Sequence, residues 1–343
     1  MSAFDPGAAA QPGSGVFGLP QRRHEAACVL VPVPFDATTS YRDGTREGPA
    51  AILEASRQVD LFDLQTGRPY ERGICMLEPD PEIVGLAMEA RRAAEPIIAK
   101  GGADLASPAD RRALEIVDRA GAAVNRIVEA SVAQILAEGR VPGLVGGDHA
   151  TPFGAIRAAA RHAKELGVLH FDAHADLRVA YEGFRWSHAS IMDNVLREIP
   201  EVTRLVQLGI RDFSEAEHAR IQAEDGRVVS FFDVEWQRRK AEGEKLSALC
   251  AELVRPLPEQ VWVSFDIDGL DPALCPNTGT PVPGGLGFVE ACLVLETLAR
   301  SGRRIVGFDL VEVAPGDRDA DEWDANVGAR LLYKLCGFAL LTN

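Results

Sequence analysis

Short apolar runs and segments with helical spacing alternate along most of the chain. The apolar runs predict strands at 27–33, 143–145, 168–171, 204–208, 227–232, 260–265 and 304–310. Apolar positions three and four apart predict helices at 50–56, 152–166, 191–198, 214–223, 240–255, 288–301 and about 327–337. This alternation indicates an α/β protein in which helices cover both faces of a parallel sheet.

A longer helical stretch separates the first strand from the others. It spans about 81–139, and Ser107, followed by Pro108 and the acidic Asp110, has the pattern of a capped helix start. We expect a pair of structural helices inserted into the domain. The sequence predicts one domain at 24–343, preceded by a flexible tail at 1–23 that is rich in Gly, Ala, Pro and Ser.

Composition and charge narrow the classes of partner. The 343 residues are 46% hydrophobic and 25% charged, as in ordinary globular proteins. The net charge of −15 argues against binding to nucleic acid or to an anionic membrane. The six cysteines stand singly, and the sequence has neither a secretory signal pattern nor an apolar run long enough to span a membrane. We therefore expect reduced thiols and a cytoplasmic location.

Metal-binding side chains follow three of the predicted strands. Asp172, His174 and Asp176 alternate at every second position, so an extended backbone would place all three on one face. His149 follows the strand at 143–145, and two carboxylates at 266–268 follow another. Because the carboxyl ends of parallel strands meet at one edge of a sheet, we expect a single site. Its candidate ligands are His149, Asp172, His174, Asp176, Asp266 and Asp268.

This set of two imidazoles and four carboxylates is larger than one ion needs. Two ions that share carboxylates and a water would use all six side chains and still leave room for a substrate. The oxygen-rich set suits Mn²⁺ better than structural Zn²⁺, which prefers Cys and His in four-coordinate sites.

The fragments that carry these residues resemble the signature motifs of the ureohydrolases, the arginase and agmatinase family. They lie at 146–149, 172–176 and 264–272, and the likeness covers nearly the whole folded part, including 278–285 and 307–315. The resemblance implies a three-layer α/β/α fold with a mainly parallel eight-stranded sheet. It also implies two Mn²⁺ ions per subunit, with Ni²⁺ as the other candidate, and a homo-oligomer, either a trimer or a hexamer.

The resemblance divides the ligands between two ions. One ion would be held by His149, Asp172, Asp176 and Asp266. The other would be held by Asp172, His174, Asp266 and Asp268, so that Asp172 and Asp266 bridge. Two ions can lower the pKa of a bridging water enough to give hydroxide at neutral pH, which the inert guanidinium carbon requires. Asp176 would also accept a hydrogen bond from that hydroxide.

The resemblance also assigns roles beside the metal ligands. His188 would carry a proton to the leaving amine, because imidazole is the usual proton carrier near pH 7. Glu312 would pair with the substrate guanidinium, which binds carboxylates through two parallel hydrogen bonds. Asp148 and His170 would orient the ligands from behind.

Two loops bear on the substrate. Residues 33–41 and 176–183 are more similar to agmatinases than to arginases, so the expected reaction is cleavage of agmatine to putrescine and urea, a step of polyamine metabolism. Guanidinobutyrate, guanidinopropionate, free guanidine and arginine are the alternative substrates. We expect the substrate to be a small cationic guanidino compound.

Two other functions are compatible with parts of the sequence. Residues 266–269 resemble the nucleophile motif of haloacid dehalogenase phosphatases, but that motif continues with Thr and leaves His149 and His174 without a role. A catalytically silent binding protein of the ureohydrolase family would usually lack a metal ligand, and none is missing here.

Overall fold

Eight parallel strands form one sheet in the computed structural model, which describes residues 4–11, 13–316 and 322–343. The strands are β1 (Cys28–Val33), β2 (Ile74–Met76), β3 (Val141–Gly146), β4 (Leu166–Phe171), β5 (Val202–Ile210), β6 (Val228–Phe232), β7 (Gln260–Asp266) and β8 (Arg304–Val311). Their order across the sheet is β2-β1-β3-β8-β7-β4-β5-β6. Every neighbouring pair is parallel, which confirms the predicted sheet.

Helices cover both faces of this sheet. They are α1 (Gly48–Ser56), α2 (Pro81–Ile98), α3 (Pro108–Ala137), α4 (Phe153–Ala163), α5 (Ile191–Glu198), α6 (Glu215–Ala223), α7 (Asp233–Ala241), α8 (Leu246–Val254), α9 (Phe288–Arg300) and α10 (Trp323–Leu341). Successive residues of β1 face opposite cores: Leu30 packs with α1 and α8–α10, whereas Val29 and Val31 pack with α2–α5. The α/β/α layering is therefore as expected.

Four details differ from the sequence prediction. The three-residue β2 is too short to show an apolar pattern. The helix predicted at 240–255 is two helices, α7 and α8, because Gly243 adopts a left-handed φ of 89° after α7. The last helix is longer at both ends than 327–337. Part of the expected flexible tail is instead buried, since Phe17 packs edge-on against Tyr333 of α10 with ring centroids 4.8 Å apart.

The helical pair at 81–139 is present as α2 and α3. α3 begins at the predicted cap, since Ser107 accepts a hydrogen bond from the amide of Asp110, and α2 begins at a cap that was not predicted, Asp80, which accepts one from the amide of Glu82. None of the helices in the described residues is both long enough and apolar enough to cross a membrane.

Gly143 in β3 offers a test of the packing between strands. A Cβ there would lie 2.5 Å from Phe308 Cζ and 2.6 Å from Leu30 Cδ2, and both side chains are fully buried. We expect Gly143→Ala to lower the free energy of unfolding by about 1–3 kcal/mol, measured by chemical denaturation. The matched control is Gly85→Ala in α2, where nothing lies within 4 Å of the new atom. This change should stabilise the protein by about 0.5–1 kcal/mol, and equal effects of the two substitutions would contradict the packing described.

Candidate metal centre

The predicted ligands meet at the carboxyl edge of the sheet. β3, β8, β7 and β4 are consecutive neighbours, so the segments that follow them lie side by side. His149 lies just after β3, Asp172 directly follows β4, Asp266 ends β7 and Glu312 directly follows β8. The sheet order, rather than proximity in sequence, brings these four side chains together.

Three carboxylates surround one imidazole nitrogen. The Nδ1 atom of His149 lies 2.9 Å from Asp172 Oδ2, 3.2 Å from Asp176 Oδ2 and 3.2 Å from Asp266 Oδ2. All four side chains are buried. These are the four residues predicted to hold the first ion.

The second imidazole lies on the other side of Asp172. His174 Nδ1 is 3.3 Å from Asp172 Oδ1 and 3.1 Å from Asp268 Oδ2. The two oxygens of Asp172 therefore reach the two imidazoles separately, as a shared ligand requires. Asp266 lies beside the second group as well, because its Oδ1 accepts a hydrogen bond of 2.8 Å from the amide of Asp268.

His170 lies close enough to be counted among the possible ligands, but its contacts indicate a supporting role. Candidate donor atoms of His149, His170, Asp172 and Asp176 lie within 4.8 Å of one another. However, both ring nitrogens of His170 already have partners, with Nε2 2.8 Å from Asp172 Oδ2 and Nδ1 3.0 Å from Gln207 Nε2. The ring thus orients Asp172 from behind, as expected.

The buried carboxylates are costly without cations. Burial, together with the charges of Asp268 and Asp172, raises the pKa of Asp266 well above its usual value. Burial and the charge of Asp172 raise the pKa of Asp176 to about 7. Carboxylates held this close favour a positively charged occupant. The donor set, its burial and its charge therefore fit divalent metal ions.

In the two imidazoles the charged form is favoured, whereas in Asp176 and Asp266 it is disfavoured. Burial disfavours their charged forms, but contacts with carboxylates outweigh it and hold the pKa values of His149 and His174 well above the ordinary value. The protonated rings thus partly balance the carboxylates in the metal-free protein. Because a ligating nitrogen must lose its proton, metal affinity should rise with pH.

Glu312 offers one free oxygen to the site. Its Oε1 accepts a hydrogen bond of 2.8 Å from the amide of His149, while Oε2 is buried and has no hydrogen-bond partner among the described residues. Burial and the charges of Asp266 and Asp148 raise its pKa well above the usual value. Both Glu312 and Asp176 have left-handed backbones, with φ values of 61° and 54°. Such strained non-glycine residues concentrate at functional sites.

A cavity of about 300 Å³ opens beside the cluster. His188, His174 and Asp176 share its lining. His188 is half-buried, and its Nδ1 lies 3.4 Å from Thr38 Oγ1, which in turn donates a 3.2 Å hydrogen bond to Asp148 Oδ2. Burial and the nearby imidazoles His174 and His149 lower the pKa of His188 to about 3, so its ring is neutral at pH 7.

Asp148 differs from its expected role. Its Oδ2 contacts Thr38 rather than a metal ligand, and it supports His149 only through a 3.1 Å hydrogen bond from the amide of Ala150 to Oδ1. Sequence reasoning did not single out Thr38, because an isolated hydroxyl in a polar loop is common.

A hydrogen-bonded chain behind His149 is a second feature that sequence reasoning missed. His149 Nε2 lies 3.0 Å from Ser264 Oγ, which donates a 2.9 Å hydrogen bond to Asp309 Oδ1. Trp262 Nε1 and the amide of Phe265 also donate to Asp309, at 2.6 Å and 3.2 Å. The sign available in the sequence was Asp309, a carboxylate inside the apolar run that predicts β8.

A larger cavity, of about 920 Å³, lies between α1 and α2 and away from the metal-binding side chains. Its arginines are mostly paired, since Arg46 approaches Asp36 and Glu47, Arg57 binds Glu54, and Arg91 approaches Asp43 and Glu95. Among the described residues, its lining includes no histidine and none of the candidate metal ligands.

The comparisons with known proteins agree with this geometry. The family model described as the arginase family matches residues 26–337. The chain belongs to the arginase family. It is therefore a ureohydrolase, a hydrolase that acts on guanidino C–N bonds.

Individual family members are similar over almost their whole length. The chain is 33% identical to the N(1)-aminopropylagmatine ureohydrolase of Thermus thermophilus, over 94% of each chain. It is 31% identical to the agmatinase of Pyrococcus horikoshii, over 92% of this chain and 93% of that protein. The agmatine ureohydrolase of Thermoplasma volcanium has the same fold, with a TM-score of 0.70, 24% identity, and coverage of 94% of this chain and 92% of that one.

The chain from His149 to Asp309 yields a prediction about metal affinity. An amide at 309 would have one acceptor oxygen for three donors, so Asp309→Asn should misorient Ser264 and His149. We expect Mn²⁺ affinity, measured by calorimetric titration, to fall about 10- to 100-fold. The matched control is Glu290→Gln, which alters a similar contact of 2.5 Å to Trp236 Nε1 away from the site. Equal Mn²⁺ affinities in the two variants would contradict a role for Asp309 in orienting His149.

Proposed function

We propose that this ureohydrolase cleaves agmatine to putrescine and urea and that it uses two Mn²⁺ ions. The observation that carries the proposal is the convergence of six candidate metal-binding side chains, two of which, His174 and Asp176, line the cavity. Glu312 lies against His149 in this cluster, and its Oε2 is buried without a hydrogen-bond partner among the described residues. A cationic guanidinium would give that oxygen the partner it lacks and would offset the cost of burying the carboxylate.

The proposed metal-binding residues are those that the resemblance implies. His149, Asp172, Asp176 and Asp266 would hold one ion, and Asp172, His174, Asp266 and Asp268 the other. When bound, the ions would supply a water with a lowered pKa and a Lewis acid beside the guanidinium. Glu312 would orient the guanidinium, and its strained backbone aims the carboxylate toward the cluster.

His188 is the proposed proton carrier. It lines the same cavity as His174 and Asp176, and its half-buried position keeps one side of the ring near solvent. An imidazole ring can accept a proton at one nitrogen while it donates from the other. Thr38, within 3.4 Å of Nδ1, would fix the orientation of the ring.

The cavity mouth favours an amine at the far end of the substrate. Arg178 lies 3.5 Å from Glu217 Oε2 and stacks over Tyr181 at 5.0 Å, so its charge is already balanced. Asp212 lines the same cavity, is exposed, and makes no ion pair within the described residues. The uncompensated charge at the mouth is negative. This favours the ammonium group of agmatine over the carboxylate of a guanidino acid.

N(1)-aminopropylagmatine is the second candidate substrate. The similar Thermus protein is named for this compound. It has the same guanidino end as agmatine and a longer cationic tail. The open mouth, where Tyr41 lines the cavity and is 73% exposed, leaves space for that tail.

Urea release by the Mn²⁺-loaded protein tests the function. We expect turnover of agmatine, of aminopropylagmatine or of both to exceed that of arginine, guanidinobutyrate, guanidinopropionate and guanidine. Asp266→Asn should reduce urea release to background, because it removes a ligand charge. The fold should survive, since Asp266 is costly to ionise in the metal-free protein. Full activity of the variant, or phosphatase activity instead of urea release, would contradict the proposal.

Asp212 provides a separate test of the amine preference. We expect Asp212→Asn to raise KM for agmatine roughly 2- to 5-fold at low salt, because an exposed charge pair contributes modestly and is screened by salt. KM for guanidinobutyrate should not rise. The control for the change in net charge is Glu235→Gln, at an exposed position that does not line the cavity. If Asp212→Asn left the KM for agmatine unchanged, or if Glu235→Gln raised it equally, the charge of Asp212 would not select the substrate tail.

A further inference from the structure

Two irregular segments form facing walls of the substrate cavity. The first wall segment, residues 38–41, follows β1 and contributes Ser40 and Tyr41. The second wall segment, residues 178–189, contains His188 and contributes Arg178 and Tyr181. Neither contains a strand, and the second has only a short 3₁₀ turn at its end. The two segments meet directly at one point, where Thr38 Oγ1 lies 3.4 Å from His188 Nδ1 and accepts a 3.3 Å hydrogen bond from the amide of His188. Away from that point, their separation must be set by the parts of the fold that they contact.

One helix of the α2–α3 pair holds the first wall segment. Arg91, on α2, donates a 2.7 Å hydrogen bond from Nη1 to the carbonyl of Thr39. Its guanidinium also lies 3.8 Å from Asp43 and 3.7 Å from Glu95, and its side chain is only 13% exposed. The carbonyl that it binds immediately precedes Ser40 and Tyr41.

The same helical pair also holds the second wall segment. The amide of Ala103, in the loop between α2 and α3, donates a 3.0 Å hydrogen bond to the carbonyl of Glu182. Asp118 of α3 accepts a 3.3 Å hydrogen bond from the amide of Arg185. Gly121 lets α3 approach so closely that a Cβ there would lie 2.8 Å from Trp186 Cβ.

The second wall segment needs this support. Glu182 and Gly183 are consecutive left-handed residues, with φ values of 53° and 98°. A left-handed glutamate is strained and persists only where its surroundings hold it. Burial raises the pKa of Glu182 and the nearby charge of Arg91 opposes that rise, which places Arg91 within electrostatic reach of both walls.

We propose that the α2–α3 pair fixes the separation of the two walls of the substrate cavity and that Arg91 is its positioning residue. As a statement about substrate binding, this inference rests on the proposed function. The pair makes none of the described contacts to the metal-binding side chains. His188 is held independently of the pair, through Thr38 and Asp148. Loosening the pair should therefore weaken the placement of the substrate tail more than the chemical step.

Arg91→Gln and Arg92→Gln form a matched pair of variants. Arg92 is the next residue of the same helix, is exposed, and has no hydrogen bond or ion pair within the described residues. In the full-length, Mn²⁺-loaded protein we expect Arg91→Gln to raise KM for agmatine about tenfold, with kcat within about twofold. We also expect amide hydrogen exchange at 38–41 and 181–188 to quicken about tenfold, with α2 itself unchanged. Arg92→Gln should match the unmodified protein in both measurements.

Asp118 tests the second wall independently. Asp118→Ala should quicken exchange at 181–188 and raise KM, whereas Asp118→Asn, which keeps an acceptor oxygen, should restore both. A purely structural role would lower the melting temperature without this rescue and without a selective change in KM.

Hydrogen exchange and steady-state kinetics together distinguish a failure of this inference from a failure of the proposed function. Unchanged exchange at both walls in Arg91→Gln would overturn the positioning role whatever the activity, as would a fall in kcat at constant KM. If the unmodified protein released no urea from any guanidino compound, the proposed function would fail. The exchange measurements would still decide whether the helical pair holds the walls.

Discussion

The repulsion among buried carboxylates is the constraint on which the rest of the site depends. Asp172, Asp176, Asp266, Asp268 and Glu312 converge where neighbouring parallel strands end. Burial and mutual repulsion raise the pKa values of Asp176, Asp266 and Glu312, whereas contacts with imidazoles hold the pKa of Asp172 well below its usual value despite burial. Such an arrangement is unfavourable by itself. We infer that bound cations offset the repulsion among the carboxylates. The same repulsion therefore destabilises the metal-free protein and increases its affinity for metal ions.

The sheet holds these carboxylates together despite their repulsion. Ligands at strand ends cannot move apart without disturbing the register of β3, β8, β7 and β4, which is fixed by backbone hydrogen bonds along each pair. Inside the sheet, Trp262, Ser264 and Asp309 continue the hydrogen bonding from His149 into the core. Arg211 also holds the backbone beside the cluster, because its guanidinium donates hydrogen bonds to the carbonyls of Asp268, Leu270 and Val282. Rigid backbone and satisfied partners therefore hold the charges where solvation alone would separate them.

The parts that could be predicted from sequence are those with a short-range signal. The alternation at 172–176 and the apolar runs before each motif indicated both the fold and the ligand cluster. The tie from Asp309 to His149 and the contact between Thr38 and His188 join residues that are more than a hundred positions apart. Such contacts exist only once the strand order is known. β2 escaped detection for a different reason, since three residues at a sheet edge carry too little pattern.

The site thus divides into two parts that are held by different means. The ligand cluster depends on strand register, which every core side chain helps to fix. The cavity mouth depends on irregular segments that lean on the α2–α3 pair through a few contacts, such as Arg91 with Thr39 and Gly121 against Trp186. Changes in that pair can move the mouth without moving the metal ligands. This separation gives a physical reason why one binuclear chemistry can serve guanidino compounds with different tails within one fold.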